Sequence, residues 1–138
     1  MDKTTNFRGL MLNSTSSEHV TLVEELELIG SFAEYKTVIE SAVQRLATEG
    51  IKELITLQFY TNPRHTKVSV IITFSDRDKV MEHIKMISGW ADFKQMFALV
   101  KPIDIKVYGK LSVGVEAWLQ QFNVVSQTFD ERIAGFVR

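Results

Sequence analysis

A chain of 138 residues with 45% apolar side chains has the length of one domain and enough apolar material for one core. Its 16 basic and 17 acidic residues leave a formal net charge of -1 and are interspersed rather than blocked, so no polyanion footprint is present and no nucleic-acid partner is expected. The sequence holds no cysteine, which removes disulfides, thiolate metal sites and cysteine nucleophiles and makes a reducing, cytoplasmic setting the natural expectation.

Residues 1–19, MDKTTNFRGLMLNSTSSEH, carry only Leu10, Met11 and Leu12 as an apolar run. That is too short for a signal-peptide core or a membrane span, and a flexible N-terminal arm is expected. From Val20 to Ile29, the residues Val20, Leu22, Leu26 and Leu28 alternate with Thr21, Glu25 and Glu27, which reads as a strand, with a helix as the rival because Glu and Leu both favour one. Gly30 breaks the run. Ser31 followed by Glu34 has the capping-box form, and Tyr35, Val38, Ile39, Ala42, Val43 and Leu46 recur at helical spacing up to Gly50, a residue able to end the helix at positive φ.

Two strands follow. ELITLQFYT sets Ile55, Leu57 and Phe59 against Thr56, Gln58 and Tyr60, and KVSVIITF sets Val68, Val70, Ile72 and Phe74 against Ser69, Ile71 and Thr73. TNPRH between them is a turn, so the pair is a hairpin. Ser75 and Asp76 can cap a second helix striped by Val80, Met81, Ile84 and Ile87, and after Ser88 and Gly89 a further helical piece points Phe93, Met96, Phe97 and Val100 inward. Pro102 ends it. Ile103, Ile105 and Val107 then alternate with Asp104, Lys106 and Tyr108 as the last clear strand, and Val115, Trp118, Leu119 and Phe122 suit a short helix. The remainder from Asn123 is expected to pack on something through Phe129, Ile133, Phe136 and Val137.

The order β, α, β, β, α, β is the split βαβ pattern, an α+β ferredoxin-like domain with a four-stranded antiparallel sheet. The division expected is a ferredoxin-like domain over residues 20–111 and a C-terminal helical extension over 112–138, packed on the domain or on a partner subunit. Two helices cover one face of such a sheet. The other face would carry Val23, Ile29, Leu54, Tyr60, Ile71 and Tyr108 among polar residues, a mixture suited to a second sheet or to a pocket.

DKVMEHI (Asp78 to Ile84), DFKQMF (Asp92 to Phe97) and IDIKVYGKL (Ile103 to Leu111) resemble the dimeric α+β barrel superfamily, and within it the antibiotic-biosynthesis monooxygenase-like domains. The resemblance, which spans roughly Val20 to Leu111, implies a homodimer with its two sheets face to face. In members that are enzymes it implies a pocket between sheet and helices. Many of those oxidise polycyclic or quinol-like substrates without metal or flavin, so no cofactor is expected. Others degrade haem, but the Asn, Trp and His set of that branch has no counterpart at its expected spacing here.

The candidate catalytic residues are His83, Trp90 and Tyr60. His83 has a side chain that titrates near neutrality and can serve as a base or pack in the core. Trp90, after Gly89, sits where a loop can roof a pocket and stack on a flat substrate, or fill a gap at the domain edge. Candidate substrate-binding residues are Gln58, Tyr60, Thr73, Trp90, Lys106 and Tyr108, which either meet a hydroxylated ring or trim a dimer interface. Glu24, Glu25 and Glu27 crowd the first strand, and a carboxylate facing a dry cavity gains basicity. His19, His65 and His83 form no metal-ligating pair, and no phosphate-binding glycine loop or Gly-x-Ser-x-Gly motif occurs. The expected function is small-molecule binding by a homodimer, with cofactor-independent oxygenation of a flat aromatic or quinol-like substrate first. The alternative is a non-catalytic ligand-binding or regulatory module. An RNA-binding module is the third reading, opposed by the near-neutral charge, and no membrane association is expected.

Overall fold

The computed structural model describes residues 19–138, so the expected N-terminal arm lies, but for His19, outside the described residues. Strand β1 (Val20–Leu28) buries Val20, Leu22 and Leu26 on one side, and this alternation, which a helix would scatter around its axis, selects the strand over its rival. Helix α1 (Phe32–Glu49) starts at Ser31, whose hydroxyl accepts a hydrogen bond from the Glu34 amide at 3.2 Å. Gly50 ends it, donating its amide to the Leu46 carbonyl at a φ of -67°. The expected positive φ is absent. Glycine is needed there for closeness instead, because a Cβ would collide with the Leu46 carbonyl oxygen.

Strands β2 (Leu54–Thr61) and β3 (Lys67–Phe74) form the hairpin. Asn62 organises its turn: the side-chain carbonyl accepts from the amides of Thr66 and Lys67 at 2.8 and 3.0 Å, and the amide group donates to the Thr66 hydroxyl at 2.8 Å. His65, at a φ of 55°, stacks on Phe32 at the start of α1 with ring centroids 3.9 Å apart. A 3₁₀ turn (Arg77–Lys79), capped by Asp76, leads into α2 (Val80–Ser88), and α3 (Ala91–Ala98) follows after Gly89 and Trp90. Strand β4 (Val100–Tyr108), α4 (Val113–Gln120) and β5 (Val125–Phe129) complete the chain's regular elements.

The sheet order is β2-β3-β1-β4-β5, with antiparallel pairing throughout except for the parallel β4–β5 pair. The first four strands have the ferredoxin-like arrangement, but the sheet has five strands, not the expected four. The segment after Leu111 supplies a strand as well as a helix. Helix α4 serves as the crossover that parallel pairing requires, and β5 was hard to read because all five of its residues are exposed and show no buried face.

Two bulges also change which side chains face inward. One in β2 between Leu54 and Thr56 places Leu54 opposite Phe74, on the core side with Leu57 and Phe59, and leaves Ile55 51% exposed. This reverses the expected placement of both residues. The other, where β1 meets β4, pairs Leu26 with Pro102 and Glu25 with Asp104 and turns Ile103 out. Proline therefore lies inside β4, at an irregularity where its missing donor is tolerated. The core has two halves. Val20, Leu22, Phe74, Ile84, Val107 and Val115 belong to one, and Leu26, Tyr35, Ile39, Val68, Val70 and Val100 to the other. Each fully buried member, such as Phe74, contributes about 1.5–3 kcal/mol.

Candidate functional site

The inward side of β1 reads Val20, Leu22, Glu24, Leu26, Leu28. Its two flanking leucines belong to different halves of the core, Leu22 to one and Leu26 to the other. Glu24 stands at the break between them, opposite Val70 on β3 and Ile105 on β4. A cavity of about 130 Å³ occupies that break between the sheet and all four helices. Of the side chains lining it, only Glu24 and His83 are ionisable, and the rest are aliphatic or aromatic.

Burial among these apolar neighbours penalises the charged carboxylate and raises the Glu24 pKa from 4.5 to about 7. Among the described residues no cation forms a salt bridge with it. A carboxyl poised there holds a proton for part of the time at neutral pH and takes one for the rest, which suits general acid–base work. Tyr35 on α1 is 3% exposed and its hydroxyl is buried without a hydrogen-bond partner. Desolvation, and then the neighbouring Glu24 charge, push its ionisation well above the ordinary phenol range. The phenol therefore stays a neutral donor.

His83 on α2 enters from the other core half. It is 5% exposed, packs edge-on against Phe74 with ring centroids 5.3 Å apart, and leaves Nδ1 buried without a partner. Burial lowers its pKa from 6.5 to about 4, so the imidazole is neutral at physiological pH. An aromatic chain of half-buried rings, Phe93 to Phe97 to Phe122 to Trp118, edges the cavity with successive centroids 5.3, 5.1 and 4.7 Å apart. Trp90, buried at the start of α3, lines the cavity and carries the Arg45 guanidinium 3.9 Å from its ring centroid. That guanidinium is held in turn by Glu49 at 2.9 Å.

The fold thus brings together His83 and Trp90 of the expected residues. Tyr60 does not join them. It lies on the opposite face of the sheet with Gln58, Thr73, Lys106 and Tyr108, and none of these five lines the cavity. On that outer face Thr73 shares a 2.9 Å hydrogen bond with Thr21, and Tyr108 stacks on Phe129 at 5.3 Å. Lys106 lies 4.0 Å from Asp104. Glu24 was visible in the sequence as a member of a crowded acidic strand, and the gap it leaves in the apolar alternation was the sharper signal. Tyr35 read simply as core. Among the described residues no group of three His, Asp or Glu side chains is placed to share a metal ion.

A protein of known structure from Pseudomonas fluorescens, MupZ, superposes with a TM-score of 0.69 over 88% of this chain and 95% of its own, at 16% identity. SnoaB from Streptomyces nogalater, a cofactor-independent oxygenase, superposes with a TM-score of 0.58 over 70% of this chain and 96% of its own, at 13% identity. The chain shares its fold with these two proteins. A Caulobacter crescentus CB15 protein whose assignment as an antibiotic biosynthesis monooxygenase is provisional adds a TM-score of 0.50 over 78% of this chain and 99% of its own, at 14% identity. No family model matches the chain, and no curated protein matches its sequence, so the likeness to these proteins is one of three-dimensional fold. No helix among the described residues is long and apolar enough to cross a membrane.

Proposed function

We propose that this chain is a small-molecule enzyme in which Glu24 transfers a proton to or from a flat aromatic or quinol-like ring held in the cavity, leading to oxygenation of that ring without a bound cofactor. The observation that carries this reading is the solitary carboxyl between the two halves of the core, with a pKa of about 7 in an otherwise apolar cavity. The shared fold with SnoaB, itself a cofactor-independent oxygenase, supports the reaction type.

Glu24 removes the proton of a ring hydroxyl, and the electron-rich anion passes electrons to dioxygen. For a simple phenol the balance is one ring plus one dioxygen giving one quinone plus one water, with all four electrons drawn from the ring. His83 and Trp90 hold the ring in place, and the aromatic edge keeps water from the anion.

Oxygen uptake, followed alongside thermal shift in a set of phenols, quinols and polyphenols, tests the reading. A compound that raises the melting temperature and consumes oxygen with wild type, but only raises the melting temperature with Glu24→Gln, supports it. Stabilisation with no uptake by either protein would instead make the chain a ligand-binding module.

We also infer that a second copy covers the outer sheet face. That face exposes Tyr60, Tyr108, Val125 and Phe129, more large apolar surface in one place than a lone domain tends to leave wet. In such a pairing Gln58, Tyr60, Thr73, Lys106 and Tyr108 meet the partner copy. Light scattering that returns the mass of a single chain at micromolar concentration would refute the pairing.

A further inference from the structure

We infer that Arg45 is a positioning residue for the cavity: by stacking on Trp90 it clamps the leading end of α3, and that end is the part of the cavity wall that opens. This rests on the proposed function in taking the cavity as the site, and adds how access to it is controlled.

Helix α3 is the loosest cover of the cavity. The other three helices each set buried side chains into the core, Ile39 from α1, Ile84 from α2 and Val115 from α4 among them, whereas α3 has none. Its apolar side chains Phe93, Met96 and Phe97 line the cavity and stay half-buried. A helix resting on open space forfeits the contacts that hold its neighbours, and a segment with few buried apolar contacts opens at low free energy.

The two ends of α3 are held differently. Just past its C-terminal end, the Leu99 carbonyl accepts the amides of Ile29 and Gly30 at 3.0 and 3.2 Å, which ties that end to the chain leaving β1. At the leading end no side chain caps the first turn, and the bond from the Lys94 amide to the Trp90 carbonyl is long, at 3.4 Å. What anchors this end is the Trp90 side chain, which is buried and carries the Arg45 guanidinium 3.9 Å from its ring centroid.

Arg45 does not itself line the cavity. Its ion pair with Glu49, between side chains 40% and 58% exposed, adds little stability of its own in water. The pair instead fixes the direction of the guanidinium, and a cation over an indole is attracted by the electron-rich face of the ring. The contact thereby joins the well-packed α1 to the loosely packed α3. Without it the leading end of α3 swings out more often, while Leu99 stays bonded.

Hydrogen exchange read by mass spectrometry on the whole protein tests the clamp. In wild type, the amides of residues 94–98 are expected to exchange about tenfold faster than those of residues 38–44 in α1. In Arg45→Met, which keeps an apolar stem and loses the charge, exchange at residues 94–98 should rise by a further two- to fivefold, about the worth of one partly exposed cation–π contact, with the β1 and β3 amides unchanged. Arg45→Lys, which keeps a cation, should recover at least about half of that increase. The wild-type comparison stands by itself if a variant fails to fold.

Wild-type amides in α3 as slow as those of α1 would overturn the opening. Equal acceleration along the whole chain in Arg45→Met, or an Arg45→Lys protein as loose as Arg45→Met, would overturn the clamp. Exchange needs neither ligand nor oxygen, so a failed clamp leaves the proposed function to its own oxygen-uptake test, and a protein that takes up no oxygen leaves the clamp standing.

Discussion

Replacing Glu24 by glutamine keeps the shape of the side chain and removes its titration, and the effect on stability depends on pH in a way that can be worked out beforehand. The folded-state pKa, about 7, lies above the ordinary value of 4.5 because burial opposes the charge. Below pH 4.5 the carboxyl is protonated in both the folded and the unfolded chain, and the wild-type protein has no ionisation penalty. Between pH 4.5 and 7 the unfolded chain ionises first, so stability is lost as pH rises, and above pH 7 the loss is complete. At about 1.4 kcal/mol for each pKa unit, the full loss is about 3 kcal/mol. The glutamine variant does not titrate and lacks this pH dependence. It should match wild type at pH 4 and exceed it by about 3 kcal/mol, or about 10 °C in melting temperature for a chain of this size, at pH 8. Urea unfolding of both proteins at whole-unit steps from pH 4 to 9 measures the difference, and every other titrating group cancels in it. Stability curves that run parallel across this range would show that Glu24 does not sit in a desolvated site, and the acid–base role would fall with it.

His83 gives the opposite slope. Its folded pKa, lowered to about 4 from 6.5, makes its contribution complete above pH 6.5 and lost as pH falls to 4, again by about 3 kcal/mol, so His83→Gln should flatten that acid limb in the same urea series. Asn62→Ala removes three hydrogen bonds from the hairpin turn and should cost about 1–2 kcal/mol, with faster hydrogen exchange at the Thr66 and Lys67 amides than at the core strands. Gly109 has a φ of +110°, and an added Cβ would fall 2.7 Å from the His19 carbonyl oxygen. Gly109→Ala should therefore lower stability by at least about 1–2 kcal/mol, and an unchanged melting temperature would refute the strain.

Much of the fold was written in local pattern. Alternation marked β1, β2, β3 and β4, three-and-four spacing marked α1 and α2, and Ser31 and Asp76 marked where helical turns begin. These are short-range effects: a strand must bury every second side chain and a helix one stripe, whatever the rest of the molecule does. The bulges at Leu54 and Ile103 were not legible, because a single extra residue in a strand is set by how its neighbour pairs. Strand β5 was not legible either, since Val125–Phe129 has no apolar face of its own and is held by backbone bonds to β4.

The candidate site divides along the same line. His83 and Trp90 drew attention from their residue types, and Glu24 as one of three glutamates crowding the first strand. Only the tertiary structure decided that the helix-covered side of the sheet, rather than the side carrying Tyr60 and Tyr108, holds the cavity. It also decided that Glu24 is dry there, because desolvation depends on what α1, α2, α3 and α4 lay over β1 and not on β1 itself. The sequence alone determined that the first strand would alternate and would crowd Glu24, Glu25 and Glu27. Packing decided that Glu24 is the one that faces the cavity and titrates near neutrality there, since a pKa is a property of surroundings assembled from distant parts of the chain.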